Sequence, residues 1–335
     1  MKPFLLLIFF NFFWIKDNLL DAQTADKTAT HLFRIYEDND FLNISGNGTD
    51  NCYTNGLRLE FFYIKKKQSR FFIDHLMPKA GNNSVNVYGW NLAQLMFTPN
   101  DISTTKYQPN DYQYSGALYT THSLYSFNKV MKYSLQTEII AGIRGPASFA
   151  KEFQTFVHSV IHYTKPMGWD NQLDTYPLLN INVTAEKQLM AIGNFIEVIG
   201  GAGLDAGSYL GAFSVYSLIR VGQMAPYFNG YFSRYGSFYR KGRKIKTQFY
   251  LVAKPANTFV WHNALVFGKR MNEEQYTTQK NENMRQISQQ LTNIQFGAVA
   301  ARGNFSLSYL QSNSTGFNKG LYHHNWGNVS LCYRW

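Results

Sequence analysis

The sequence predicts an all-β protein: an antiparallel transmembrane outer-membrane β-barrel of about 12 strands, with a short helix in an extracellular loop. Three observations carry that expectation. The chain of 335 residues contains 23 Tyr and 27 Phe, yet its mean hydropathy is only -0.30. That balance suits strands that alternate lipid-facing apolar residues with polar lumen residues, girdled by aromatics at the membrane surfaces. The C-terminal stretch alternates through Val329, Leu331, Tyr333 and Trp335 and finishes on an aromatic. As a soluble edge strand it would invite aggregation. The first 22 residues have the form of an export signal, with Lys2, an apolar run from Phe4 to Ile15, and Ala22 at the cleavage position. That run is short for a spanning helix, and no later stretch approaches the ~20 apolar residues one needs.

The strands follow in order. His31–Glu37 alternates and reads as the first, and an acidic, amide-rich loop follows it (Glu37, Asp38, Asn39, Asp40, then ISGNGTDN). Tyr53–Tyr63 is the second, closed by Lys65, Lys66 and Lys67. Val85–Phe97, Ser115–Leu124 and Lys132–Ile143 are the next three. Leu178–Thr184 and Gln188–Gly200 pair across a tight turn expected at Ala185-Glu186. Tyr209–Gly222 is the eighth, and a Tyr/Phe/Gly-rich connection with Arg240, Lys241, Arg243 and Lys244 leads to the ninth, within Thr247–Phe267. Met284–Ala300, Phe305–Gln311 and Trp326–Trp335 complete the set. With no Pro/Ser linker and no shift in composition, residues 23–335 read as one barrel domain.

Between the fifth and sixth strands lies a segment of different period, AGIRGPASFAKEFQTFVHSVIHYTKPMGWDNQ (141–172). Wound at 3.6 residues per turn, Phe149, Phe153, Phe156 and Val160 share one face, and Lys151, Gln154, His158 and His162 the other. Pro146 suits its first turn, and Pro166-Met167-Gly168 stops it. The spacing predicts an amphipathic helix, anchored by phenylalanines, that presents an imidazole and an amide to a polar site.

The formal net charge is +11, which residues 1–22 leave unchanged because Lys2 and Lys16 offset Asp17 and Asp21. In an exported chain this basic surface argues for solvated rims or anionic lipid and against nucleic acid. The two cysteines, Cys52 and Cys332, fall at opposite ends of the predicted barrel and are expected as free thiols. In a single-chain barrel of this kind with both termini on the periplasmic side, long outer loops alternate with shorter inner turns. The acidic loop, the loop from Thr98 to Tyr114 and the helix then all lie at the outer end, on neighbouring strands.

His158 is the general-base candidate, since imidazole titrates near neutrality. Asn39 and Asp40, with Asp38 and Glu37, supply hard oxygens suited to calcium. Gln154, one turn before His158, is placed to position a water or a carbonyl. His158 and His162 are spaced like zinc ligands, but the glutamate of H-E-x-x-H is missing, and no G-x-S-x-G marks a nucleophilic serine. The combination points to a water activated by His158, with a metal polarising an ester carbonyl.

At this point the chain resembles the outer-membrane lipid A 3′-O-deacylases over nearly all of the mature sequence. The carriers are YEDNDF around Asn39-Asp40, YTNGL at Tyr53–Leu57, QLMFTP from Gln94, and Pro109-x-Asp111 with Tyr114-Ser115-Gly116. Gly145-Pro146 through Glu152, Gln154 and His158, and then PMGWDNQ ending at Gln172, continue the series. The resemblance implies a twelve-stranded barrel in the Gram-negative outer membrane and calcium-dependent hydrolysis of an acyl ester of lipid A, at a site open to the outer leaflet. It implies His158 as base, Asn39 and Asp40 in the calcium-binding and base-orienting group, and Thr54 and Gln154 lining the same site. Lys106, offset from the family's loop lysine, is the expected substrate contact. Thr164 replaces a family glutamate, and Tyr112 and Gln113 replace Arg and Pro. Lipopolysaccharide is the expected partner and a monomer the expected state. A broader outer-membrane phospholipase and a non-catalytic pore or adhesin are the alternatives.

Overall fold

The computed structural model describes residues 29–44, 50–193, 195–240, 243–268 and 287–335. The expected export signal, residues 1–22, lies outside them. Twelve strands close an antiparallel barrel. In chain order, they begin with β1 (His31–Asn39), β2 (Cys52–Tyr63), β3 (Val85–Thr98), β4 (Ser115–Asn128) and β5 (Tyr133–Arg144). They continue with β6 (Tyr176–Ile192), β7 (Ile196–Gly207) and β8 (Leu210–Gln223). After a small separate hairpin, β9 (Phe238–Arg240) with β10 (Arg243–Ile245), come β11 (Thr247–Asn263), β12 (Gln290–Arg302), β13 (Phe305–Ser314) and β14 (His324–Arg334). Each barrel strand pairs with its sequence neighbour except where β8 passes the hairpin to join β11, and β1 against β14 closes the ring. Closure leaves no open edge, the condition for strands in lipid. Among the described residues two α-helices stand apart: α1 (Ile73–Leu76) in the inner turn after β2, and α2 (Ala150–Ile161) in the outer loop after β5.

Alternation sets what faces lipid. Phe33 pairs with Phe61 and Tyr333, and Ile35 with Leu59 and Leu331, all on the outer wall. Towards the inner rim His31, Phe61, Tyr63, Tyr333 and Trp335 stack into an aromatic belt. The opposite parity fills the lumen. There Arg220 bonds Glu197 at 2.6 Å, Arg34 bonds Glu60, and the Arg234 guanidinium sits 3.9 Å from the Tyr227 ring centroid. Tyr227, Phe228, Tyr231 and Phe232, from the β8–β9 connection, pack into this end against Leu32, Phe62, Tyr125 and Ile199. The inner end of the lumen is therefore plugged.

The expected turn at Ala185-Glu186 does not exist. β6 runs on to Ile192 and the chain reverses at Gly193, whose φ of +57° suits glycine. Glu186, expected in that turn, lies within β6. It is a lumen residue, held by the hydroxyls of Tyr216 and Tyr227 at 2.9 Å each. Most of the other expected strands start and stop within about four residues of the observed ones. Cys52 and Cys332 are buried free thiols. Pro146 opens a separate 3-10 turn (Pro146–Ser148), and α2 itself starts after Phe149 in the left-handed region, φ 56°.

Candidate active site

The site forms on the lipid-facing side of the barrel wall, beneath α2. Glu37, Asn39, Asn55, Leu57, Gln94 and Met96 share the outward parity of β1, β2 and β3. A bulge between Tyr53 and Asn55 lets Thr54 join that face, where its hydroxyl bonds that of Thr98 at 2.6 Å. Gly116 continues the wall on β4, opposite Met96. Having no side chain, it admits the start of α2: an added Cβ would lie 2.3 Å from Ser148 Oγ and 2.4 Å from Ala150 Cβ. Gln94 donates to the Ser148 carbonyl at 2.7 Å, and Met96, Ile102, Tyr114, Ala150 and Trp169 make a small core between wall and helix. The Met167 and Leu173 amides bond the Ile102 and Tyr114 carbonyls, both at 2.8 Å, joining the helical loop to the β3–β4 loop.

The helix is amphipathic as expected, but its orientation is the reverse of a core helix. Gln154 and His158 are buried towards the wall, while Phe156 and Val160 are 65% and 59% exposed. Phe153 packs on the small core; Phe149, Phe156, Val160 and Ile161 are exposed on the face turned away from the wall. Lys151 and His162, predicted to share the polar face, are exposed at its margins. Lys151 pairs with Asp170 at 2.8 Å. His162 therefore does not complete a metal pair with His158.

His158 is held from both ring nitrogens. Its Nδ1 bonds the Thr164 carbonyl, and a carbonyl only accepts, so Nδ1 carries a proton. Nε2 faces Asp50 Oδ2 at 3.3 Å. Burial lowers the pKa of the imidazole, but the Asp50 hydrogen bond, the Thr164 carbonyl and the Asp50 charge together raise it above the ordinary histidine value. Gln154 donates to Asp50 Oδ1 at 3.4 Å and accepts from the Trp169 indole at 2.8 Å. Asp50 thus links the two predicted helix residues.

Asp40 caps the other side of the acidic loop. Its Oδ2 accepts from the Asn51 amide at 2.9 Å, and burial raises its pKa well above the usual carboxylate range, with the charge of Asp50 adding to the rise. Asn39 Oδ1 caps the following 3-10 turn, accepting from the Phe41 amide at 2.8 Å. Among the described residues no three carboxylate, imidazole or thiol side chains cluster at metal-binding distance. A cation here would need amide, hydroxyl or backbone oxygens besides the carboxylates.

Of the predicted residues, His158, Gln154, Asp40, Asn39 and Thr54 come to one end and one face of the wall. Lys106 does not join them: it is exposed on the β3–β4 loop, its amide bonded to Thr104 Oγ1 at 3.1 Å. Three participants were missed. Asp50 stood in a polar loop, Trp169 entered only within a motif, and Thr164 acts through its carbonyl, which any residue type provides. Tyr112 turns inward, and its hydroxyl accepts from the Phe317 amide at 3.0 Å, fastening two outer loops together.

The family model of outer membrane protein LpxR matches residues 5–335. The chain belongs to the LpxR family. That is the family its motifs resemble, and membership with the closed barrel places it in the outer membrane. LpxR from Salmonella typhimurium superposes with a TM-score of 0.70 at 16% identity, covering 91% of this chain and all of that one, a likeness of fold. The β-domain of the Bordetella autotransporter BrkA aligns at TM-score 0.40 and 10% identity, over 92% of this chain and 99% of that one. Comparison with curated protein sequences gives no match.

Proposed function

We propose that this LpxR-family barrel is a lipid A deacylase, a carboxylic ester hydrolase that removes an acyl chain from lipid A in the outer leaflet. The observation that carries the reading is His158. It is a buried imidazole on the lipid-facing side of the wall, with its proton fixed at Nδ1 and its Nε2 turned towards the Asp50 carboxylate. In its neutral form Nε2 takes a proton from a water as that water's oxygen adds to the ester carbonyl carbon. The bond between that carbonyl carbon and the sugar oxygen then breaks, and the leaving sugar oxygen receives the proton from Nε2. Gln154, fixed by Trp169, holds Asp50 and the loop that carries it.

The donor set fits a hard divalent cation. Asp40 and Asp50 are near enough for one charge to raise the pKa of the other, and no cationic side chain pairs with Asp40 among the described residues. Asn39 and Asp40 would hold calcium, with the Asp50 carboxylate in electrostatic range. Calcium bound there supplies positive charge against the ester carbonyl oxygen. The apolar outer face of α2 supports a substrate that stays in the leaflet, and the plugged lumen disfavours a pore.

The test is lipid A mass spectrometry in a host expressing the wild type or His158→Ala, with calcium present and then chelated. Loss of one acyl chain only with wild type and calcium is expected. Unchanged lipid A with a folded, inserted wild-type barrel would overturn the reading. Loss of acyl chains from glycerophospholipid instead would assign the broader phospholipase activity.

A further inference from the structure

The inner turn between β2 and β3, residues 64–84, does not hang into the periplasm. It folds back onto the lipid-facing wall. Asp74 on α1 is buried there, bonding His122 Nε2 on one oxygen and Lys65 Nζ on the other, both at 2.6 Å. His122 and Trp90 have outward parity, and Phe71 covers the His122 ring at 5.2 Å. Met77 packs on Tyr88 and Leu124 on the same outer face. The catalytic proposal uses none of these groups.

This pinned turn carries two exposed features side by side. Phe72 and Leu76 are 67% and 75% exposed, and Phe71 joins Phe72 to the lipid-facing Trp90. The turn also holds five cations, Lys65, Lys66, Lys67, Arg70 and Lys79, against the single anion Asp74, which Lys65 already neutralises. Lys66, Lys67 and Lys79, with His75, line a cavity of about 420 Å³ that also reaches Tyr88 and Asn86. Apolar side chains at the bilayer edge beside unpaired cations are the composition of an interfacial lipid anchor.

We propose that this cavity binds the phosphate headgroup of an anionic glycerophospholipid of the inner leaflet. Lys66, Lys67 and Lys79 face the phosphate while Phe72 and Leu76 lie among the acyl chains. The site sits at the opposite membrane surface from His158, so it takes a different lipid and serves to seat the barrel. Lipid is favoured over a free anion because the cations open beside exposed apolar groups at the wall.

The test is native mass spectrometry of the full folded chain, titrated with phosphatidylglycerol or phosphatidylcholine. Three proteins are compared: wild type, the triple variant Lys66→Gln, Lys67→Gln, Lys79→Gln, and a control of equal charge change, Arg243→Gln, Lys244→Gln, Lys246→Gln. Heat-modifiability on gels checks folding. Wild type and control are expected to prefer phosphatidylglycerol, and the triple variant to lose about fivefold in affinity for each cation removed. An unchanged triple variant would overturn the proposal. So would an equal loss in the control, which would mean diffuse surface charge, and so would displacement of the lipid by millimolar inorganic phosphate. Deacylation is expected to persist in the triple variant.

Discussion

His158 Nε2 lies 3.3 Å from a carboxylate oxygen of Asp50, while its Nδ1 bonds the Thr164 carbonyl. The carboxylate stabilises the imidazolium, the form that cannot accept a proton. Because the pKa in the folded protein is raised, the base is neutral only above that elevated value, and activity rises as pH climbs through it. Asp50→Asn removes the charge and leaves burial to pull the pKa down. The acid limb of the pH profile for kcat/KM should therefore move to lower pH. An unshifted limb would show that Asp50 does not set the state of His158.

Trp169 is fully buried, and its indole N–H is the donor to Gln154 Oε1 at 2.8 Å. Trp169→Phe keeps most of the packing and leaves that buried acceptor unpaired, which costs about 1–3 kcal/mol. The cost falls on the loop and spares the barrel. Amide hydrogen exchange in α2 should accelerate while the barrel's melting stays unchanged, with deacylation lowered by roughly five- to a hundredfold.

These two side chains also mark where sequence reasoning stops. Strand alternation along β1 to β5 fixed which face each residue takes, and chain parity then brought the acidic loop and α2 to one end. That is why His158, Gln154 and Asp40 were legible. Asp50 was not, because its pairing depends on how an irregular loop closes over the outside of the wall, and no periodicity encodes that. The reversed helix is a related case. Phe156 and Val160 follow the pattern of a core-packing face, and only the placement of α2 outside the barrel leaves that face exposed. Glu186 misled in the opposite sense, since a charge inside a strand is ordinary where the strand lines a polar lumen.

The outward face of α2 can be tested directly. If Phe156 lies in the leaflet, Phe156→Asp places a charge near the membrane interface at a cost of about 1 kcal/mol, whereas Phe156→Leu keeps the apolar contact. Deacylation in outer-membrane vesicles should fall roughly fivefold for the aspartate variant and little for leucine. Both barrels should keep wild-type heat-modifiability. Equal activity in the two would show that this face stands in water.

Gly116 provides the sharpest separation of fold from site. It lies on β4, far enough from the strand's centre that the ring closes without it, yet its missing Cβ is what lets Ser148 and Ala150 sit on the wall. A methyl there would press within 2.4 Å of Ala150 Cβ, which forces the start of α2 outward. His158 rides on that helix and Asp50 does not, so the 3.3 Å pair must open. Gly116→Ala should lower deacylation by one to two orders of magnitude, about the weight of displaced general-base geometry, with the barrel's melting unchanged. Adding Ala150→Gly removes the opposing methyl at a helix end, where glycine costs about 1 kcal/mol or less, and should restore part of the activity. If Gly116→Ala is fully active, α2 is not seated where the wall now holds it.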